Sequence, residues 1–291
     1  MTAFKSHFIQ ANGIRLHYVR EGHGEPLLLL HGWPEFWYAW RKVIPDLAQD
    51  FDVIAPDLRG FGDSEKPSSG PSDQAGADVH GADMLALADA LGLKRFGVVS
   101  HDVGAATAQA MAHRAPERLK GLFFFNLPYA GIGRRWLVPE HLIEIWYQSF
   151  HQLPVAPALV GSSREACRIY FRHFLSHWAH DPHAFDEDLE AWVDNFMKPG
   201  NLQGGFNWYI SANKARLAAM RGEAPKPVRI TVPTRVLWGE SDPVLKSAWT
   251  EGLGEYFSNL KVDTAPQAGH FVHYEKPELA VREIRAFFKN L

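Results

Sequence analysis

Eight residues constrain this chain more than any others: Val98-Val99-Ser100-His101-Asp102-Val103-Gly104-Ala105. An apolar, β-favouring run over residues 96–99 ends in the small Ser100, a polar pair follows, and Gly104 and Ala105 open an alanine-rich stretch. The order is that of a nucleophile elbow: strand, sharp turn, helix. Small side chains at Ser100, Gly104 and Ala105 let the two backbones approach closely and hold the central residue in a strained, exposed conformation. That central residue is Asp102. A carboxylate there can attack an electrophilic carbon and form an ester. Equally, an Asp after a strand can cap the next helix. The stretch alone leaves both readings open, and the rest of the chain must separate them.

The 291 residues suffice for one large domain, or for one domain with an insertion. Hydrophobic residues make up 46%, enough for a sizeable core, and ten Trp and nineteen Phe can furnish that core or an apolar pocket. A formal net charge of −3 provides no basic field for nucleic acid or an anionic membrane. Cys167 stands alone, which excludes an intramolecular disulfide and fits a reducing compartment. The first residues lack the basic-then-apolar run of a signal peptide. No apolar stretch approaches the ~20 residues of a spanning helix. A soluble, cytoplasmic protein is expected, with neither nucleic acid nor membrane as partner.

Along the chain, residues 8–18 alternate around Asn12-Gly13 and predict a β-hairpin. Residues 26–30 form a continuous apolar run, the mark of a strand buried on both faces of a parallel sheet. After His31-Gly32-Trp33-Pro34, helical spacing of Trp37, Trp40, Val43, Ile44 and Leu47 predicts a helix. Residues 51–55 read as a strand, 69–72 as loop, 79–91 as a helix closed by Gly92, and 119–126 as another buried strand. From about 127 to 222 the patterns are helical, at 140–150, 163–177, 185–196 and 206–220, with Pro154, Pro182, Pro199 and Gly200 between them. Strand–helix alternation resumes at 229–238 and continues through a strand at 260–264 to a last helix at 277–288. The fold class is therefore α/β, with a doubly wound, mostly parallel sheet. Residues 1–128 and 223–291 form its core, and residues 129–222 a helical cap inserted in that core.

Ligands of open parallel sheets bind outside the carboxyl ends of the strands. Asp102, Asp242 in Gly239-Glu240-Ser241-Asp242-Pro243, His270 after the last strand, and the His31-Gly32-Trp33-Pro34 loop all fall there. Nucleophile, acid and histidine in that chain order match one known triad arrangement. Asp242 would fix the tautomer of His270 and stabilise its imidazolium, and His270 would deprotonate a water. Singly, Asp242 reads as a turn residue before Pro243 and His270 as a loop histidine; together they favour Asp102 as nucleophile. Hydrolysis of an ester on Asp102 passes through an oxyanion, and the backbone N–H groups of Trp33 and Val103 are placed to stabilise it.

With these residues in view the chain resembles an α/β-hydrolase-fold epoxide hydrolase of the soluble, microbial type, nearly end to end. Residues 31–41, His-Gly-Trp-Pro-Glu-Phe-Trp-Tyr-Ala-Trp-Arg, are similar to that family's oxyanion-loop signature, and His101-Asp102 with Gly104-Ala105 to its elbow. Residues 57–64 match as well, in a pattern many α/β-hydrolases share. Ser100 stands where the family usually has Gly, and Val103 where it often has an aromatic residue. Residues 147–154, Tyr-Gln-Ser-Phe-His-Gln-Leu-Pro, and 206–209, Phe-Asn-Trp-Tyr, resemble the stretches holding the family's two cap tyrosines. The resemblance thus implies that Tyr147 and Tyr209 donate hydrogen bonds to an epoxide oxygen, with Tyr170 a weaker competitor.

The same fold and Asp–His–Asp logic also serve haloalkane and haloacetate dehalogenases. Val103 and Trp33 leave a halide cradle incomplete, Val103 and Ala106 stand where a haloacetate reader has arginines, and Asn126 stands where such an enzyme has its acid. A non-catalytic ligand-binding relative would have no need of Asp242 and His270. His173, His177, His180 and His183 have metal-like spacing, but Pro182 interrupts them and a solvated cap face accounts for them. Glu35 can orient the site or lie on the surface. The resulting expectation is a detoxifying hydrolase, monomer or homodimer, with no cofactor and no metal. It converts a small apolar epoxide and water to a vicinal diol through an ester on Asp102, in a pocket lined by Trp146, Phe150 and Trp208.

Overall fold

A computed structural model describes residues 4–67, 75–224 and 228–291; the loop expected at 69–72 lies outside them. Strands β1 (Ser6–Ala11) and β2 (Ile14–Gly22) form the expected hairpin. Its turn residues Asn12 and Gly13 both have positive φ, 48° and 77°, as a two-residue turn matched to the strand twist requires. Strands β3 (Glu25–Leu30), β4 (Phe51–Pro56), β5 (Phe96–His101), β6 (Leu119–Phe125), β7 (Thr234–Gly239) and β8 (Leu260–Ala265) complete one sheet, ordered β1-β2-β4-β3-β5-β6-β7-β8. β1, β2 and β4 pair antiparallel, and every pairing from β4 through β3 to β8 is parallel.

Helices cover both faces. Short α1 (Ile44–Leu47), then α2 (Ala77–Ala90) and α3 (Val103–Arg114), precede β6. After it come α4 (Trp146–Phe150), α5 (Ala156–Val160), α6 (Arg164–Trp178), α7 (Leu189–Phe196) and α8 (Asn201–Arg221), and then, past β8, α9 (Val272–Glu275) and α10 (Pro277–Phe288). Alternation along the strands divides the core. Val98, Leu122 and Phe124 pack with Met84, Leu87, Ala108 and Met111 of α2 and α3. Val99, Phe123 and Phe125 face the other way, onto Ile44, Leu47, Val281 and Ile284 of α1 and α10.

All of α4 to α8 lies between β6 and β7, over the carboxyl ends of the strands. No described helix is long and apolar enough to cross a membrane. Some helices are shorter than their spacing suggests. Residues 37–47 break into a 3-10 turn, Trp37–Trp40, and α1, because Asp57 Oδ1 accepts from Trp37 N at 2.8 Å and Pro45 opens a new first turn. Pro139–Ile145 is likewise a 3-10 turn, and the helix proper begins at Trp146. The strand expected from 229 begins at Thr234: Pro233 has no N–H to donate to a ladder, and Ile230 makes only an isolated bridge to Phe257.

Candidate active site

Asp102 occupies the turn between β5 and α3 with φ 46° and ψ −113°, a conformation that costs of order 1–3 kcal/mol for a residue with a side chain. Its side chain caps no helix N–H. Instead its Oδ1 accepts from Trp33 N at 3.0 Å. The helix-cap reading therefore does not describe its carboxylate. Close packing enforces the turn: a Cβ on Gly104 would lie 2.2 Å from Leu30 O, and one on Gly32 would lie 2.7 Å from Asp102 Cβ. Val103 is the first residue of α3, so its N–H belongs to the open first turn of the helix, beside Asp102.

His270, Asp242 and Asn126 form a chain of contacts behind Asp102. His270 Nδ1 donates to Asp242 Oδ2 at 2.7 Å. Asp242 Oδ1 accepts from Val244 N and Leu245 N, at 2.8 and 2.9 Å. Asn126 Nδ2 reaches Asp242 Oδ2 at 2.5 Å, while Asn126 Oδ1 accepts from Gly239 N. His270 Nε2 is buried without a hydrogen-bond partner among the described residues. Burial works against a charge on His270, but Asp242, with a smaller contribution from Asp102, outweighs it and raises the imidazole to about 9.

Glu35 is fully buried and central. It accepts from Gly32 N at 2.8 Å, His101 Nδ1 at 2.8 Å and His273 Nε2 at 3.0 Å. Burial opposes its charge, yet His101 and His273 outweigh burial and hold the carboxyl well below the usual range. Burial pushes His273 down to about 4, against the pull of Glu35, so it donates as a neutral imidazole. The His101 ring meets the His270 ring with centroids 4.5 Å apart. Glu35 thus ties the Trp33 loop, the elbow strand and α9 together behind Asp102.

Across from Asp102 stand the two phenols. Tyr147 stacks on Trp33, centroids 5.3 Å apart and planes 6° apart, and Tyr209 meets both rings edge-on. The Tyr147 and Tyr209 rings lie with centroids 5.4 Å apart, and Gln148 Nε2 donates to the Tyr147 hydroxyl at 3.4 Å. Burial raises both phenol pKa values, and the Asp102 charge adds to the rise, so both stay protonated donors. Tyr170 spends its hydroxyl on His151 Nε2 at 2.6 Å.

Asp102, Tyr147, Tyr209 and Trp208 line one cavity of about 660 Å³. Trp146 and Phe150, expected in its wall, do not line it. The helical turn that points Tyr147 inward points Trp146 outward, where it is 40% exposed and packs on Phe174. The spaced histidines do not converge: His177 meets Glu144, His180 meets Ser241 and His183 meets Asp186, while His173 stacks on His177. Sequence reasoning missed the buried role of Glu35, its partners His101 and His273, and the grip of Asn126 on Asp242.

A family model described as alpha/beta hydrolase fold matches residues 25–277. The chain is 34% identical to a soluble epoxide hydrolase of Corynebacterium sp. (strain C12), covering 100% of this chain and 99% of that one. It also resembles a solved structure of the epoxide hydrolase CorEH without ligand, with TM-score 0.84 and 31% identity over 99% of each chain. A Bacillus megaterium epoxide hydrolase solved with an inhibitor gives TM-score 0.83 at 26% identity, covering 98% of this chain and 100% of that one.

Proposed function

The chain belongs to the α/β hydrolase fold family, among its epoxide hydrolases, and on that premise we propose how its own residues open an epoxide and release a diol. The observation that carries the reading is the shared cavity: one carboxylate, Asp102, faces two protonated phenols, Tyr147 and Tyr209, across it. The epoxide oxygen accepts hydrogen bonds from both phenols. Asp102 attacks a ring carbon from the opposite side; the carbon–oxygen bond breaks, and the oxygen leaves as an alkoxide that takes a phenol proton. Both phenols act on charge that develops only as the ring opens, which is where hydrogen bonds lower a barrier.

The resulting hydroxyalkyl ester carries no charge on Asp102. One of the three carboxylates that favour the charged form of His270 is thereby neutralised, so its pKa falls, its Nε2 proton passes to solvent, and the neutral imidazole becomes available as a base once the ester has formed. Its Nε2 then takes a proton from water, which attacks the Asp102 carboxyl carbon. The N–H of Trp33, already on Asp102 Oδ1, and that of Val103 stabilise the oxyanion. Asp242 holds the imidazolium through Nδ1. Collapse of the oxyanion expels the diol oxygen, which takes the proton from His270 Nε2, and the proton of the new Asp102 carboxyl returns to the phenolate, restoring both carboxylate and phenol.

Residues 129–222 act in this reading as a cap that supplies the phenols. Trp208 belongs to the substrate wall. Dehalogenation by the same residues is not favoured, because two donors on an oxygen that stays attached suit a ring and not a departing halide. The enzyme serves to remove reactive epoxides in a reducing cytoplasm, as a monomer or homodimer, where its single free cysteine, Cys167, stays buried. The decisive experiment is a single turnover in oxygen-18 water. Label must appear in the Asp102 peptide; label in the diol alone, with none in the protein, would rule the ester out.

A further inference from the structure

Arg216 lies in the cavity wall, and ring opening and ester hydrolysis make no use of it. It stands on α8 seven residues after Tyr209, about two turns further along the same face. It is half-buried and lines the cavity that holds Asp102, Tyr147 and Tyr209. Its Nη1 donates to Gln148 Oε1 at 2.7 Å and its Nη2 to Asn213 Oδ1 at 3.0 Å. Both acceptors are neutral amides. They satisfy two of five guanidinium N–H groups and none of its charge.

Other arginines withdrawn from solvent are treated differently. Arg41 meets Asp188, Arg59 meets Asp83 and Arg235 meets Glu283. Arg216 has no ion-pair partner among the described residues. Burial lowers its pKa, and only the Tyr147 and Tyr209 phenols act in the other direction. Asp78, an exposed carboxylate elsewhere in the cavity wall, forms no ion pair with it. A guanidinium kept from water without a counter-ion is costly unless something binds it.

We propose that Arg216 selects epoxides that carry a carboxylate, holding that group while the ring meets Asp102 and the two phenols. A planar guanidinium with free N–H groups matches a carboxylate in shape and charge. Around it Ala212, Ala215, Ala219 and Trp136 offer an apolar wall to the carbon chain between the two groups. Gln148 sets the spacing, since one amide group separates the Tyr147 hydroxyl from Arg216. The carboxylate therefore sits a few carbons from the ring and away from Asp102; an acid group attached directly to the ring would face the Asp102 carboxylate. The substrate class is a short epoxy acid with the ring towards the far end of its chain. This proposal rests on the function proposed above.

The test is separable from that function. Calorimetry compares hexanoate with hexanamide on the full-length protein and on Arg216→Met and Arg216→Lys. Wild type should bind hexanoate about tenfold or more tightly than the amide. Arg216→Met should lose the preference, and Arg216→Lys should keep part of it. In turnover, the ratio of kcat/KM for the terminal epoxide of hexanoic acid to that for its methyl ester should fall about tenfold or more in Arg216→Met. Equal or absent binding of acid and amide by wild type overturns the proposal, as does an unchanged ratio in Arg216→Met. Turnover of neutral epoxides without acid preference would remove the substrate class and leave the reaction. Acid preference without an ester on Asp102 would do the reverse.

Discussion

Asn126 and His270 share one atom: both donate to Asp242 Oδ2, from 2.5 and 2.7 Å. Asn126 thereby takes part of the charge that Asp242 presents to His270. Asn126 also has φ 38°, which glycine accepts without strain. Asn126→Gly therefore removes the donor and spares the backbone. We expect a loss of about 1–3 kcal/mol in denaturant unfolding and a rise in the His270 titration midpoint. A midpoint that stays in place would show that Asn126 serves only packing.

Substituting glycine for the strained apex residue gives a second prediction. Asp102→Gly relieves the positive φ at that position. It should abolish diol formation while raising Tm by about 2 °C or more. A fall in Tm would mean that the Asp102 carboxylate stabilises the fold.

The raised His270 carries a pH dependence of known sign. Its charged form is favoured in the fold, so the stability it contributes is complete below its ordinary value near 6.5. That stability is lost as pH rises through about 9. Asp102→Asn deletes one of the three carboxylates responsible, and the midpoint followed by NMR should drop in that variant. Equal midpoints in wild type and variant would break the link between ester formation and base activation.

The phenols should matter before the ester and not after it. Tyr147→Phe and Tyr209→Phe should each slow single-turnover ester formation by about a hundredfold, with little change in ester hydrolysis. The ester should accumulate in His270→Gln instead. Full alkylation rates in both tyrosine variants would require other donors for the ring oxygen.

Glu35 is the test of the buried network. Glu35→Ala leaves His101, His273 and the Gly32 N–H without their shared acceptor. A loss of about 3 kcal/mol or more is expected. Ester hydrolysis should slow further than ester formation, because the Trp33 amide follows the Gly32 peptide that Glu35 anchors. A purely structural Glu35 would leave the ratio of the two steps unchanged.

What the sequence made legible was local or periodic. The elbow is contiguous, and its small residues announce the close approach that Gly104 makes to Leu30. Buried strands such as residues 26–30 declare themselves as apolar runs. The hidden features depend on long-range pairing. Glu35 meets His101 66 positions later and His273 238 positions later, and Asn126 meets Asp242 116 positions later; no local pattern marks such partners. Trp146 and Tyr147 show a different limit. They are neighbours, and the 3-10 turn ahead of them resets the helical phase that decides which one faces the cavity.

Trp33 touches six aromatic side chains of the insertion: Tyr147, His151, Phe171, Phe174, Trp178 and Tyr209. Its own backbone amide holds the Asp102 carboxylate. One residue thus registers the upper half of the molecule against an atom in the lower half. The helical block is consequently not an interchangeable module. A graft from a relative that fails to rebuild the nest around this indole would shift the amide as well, and would lose ester hydrolysis along with the selectivity the graft was meant to change.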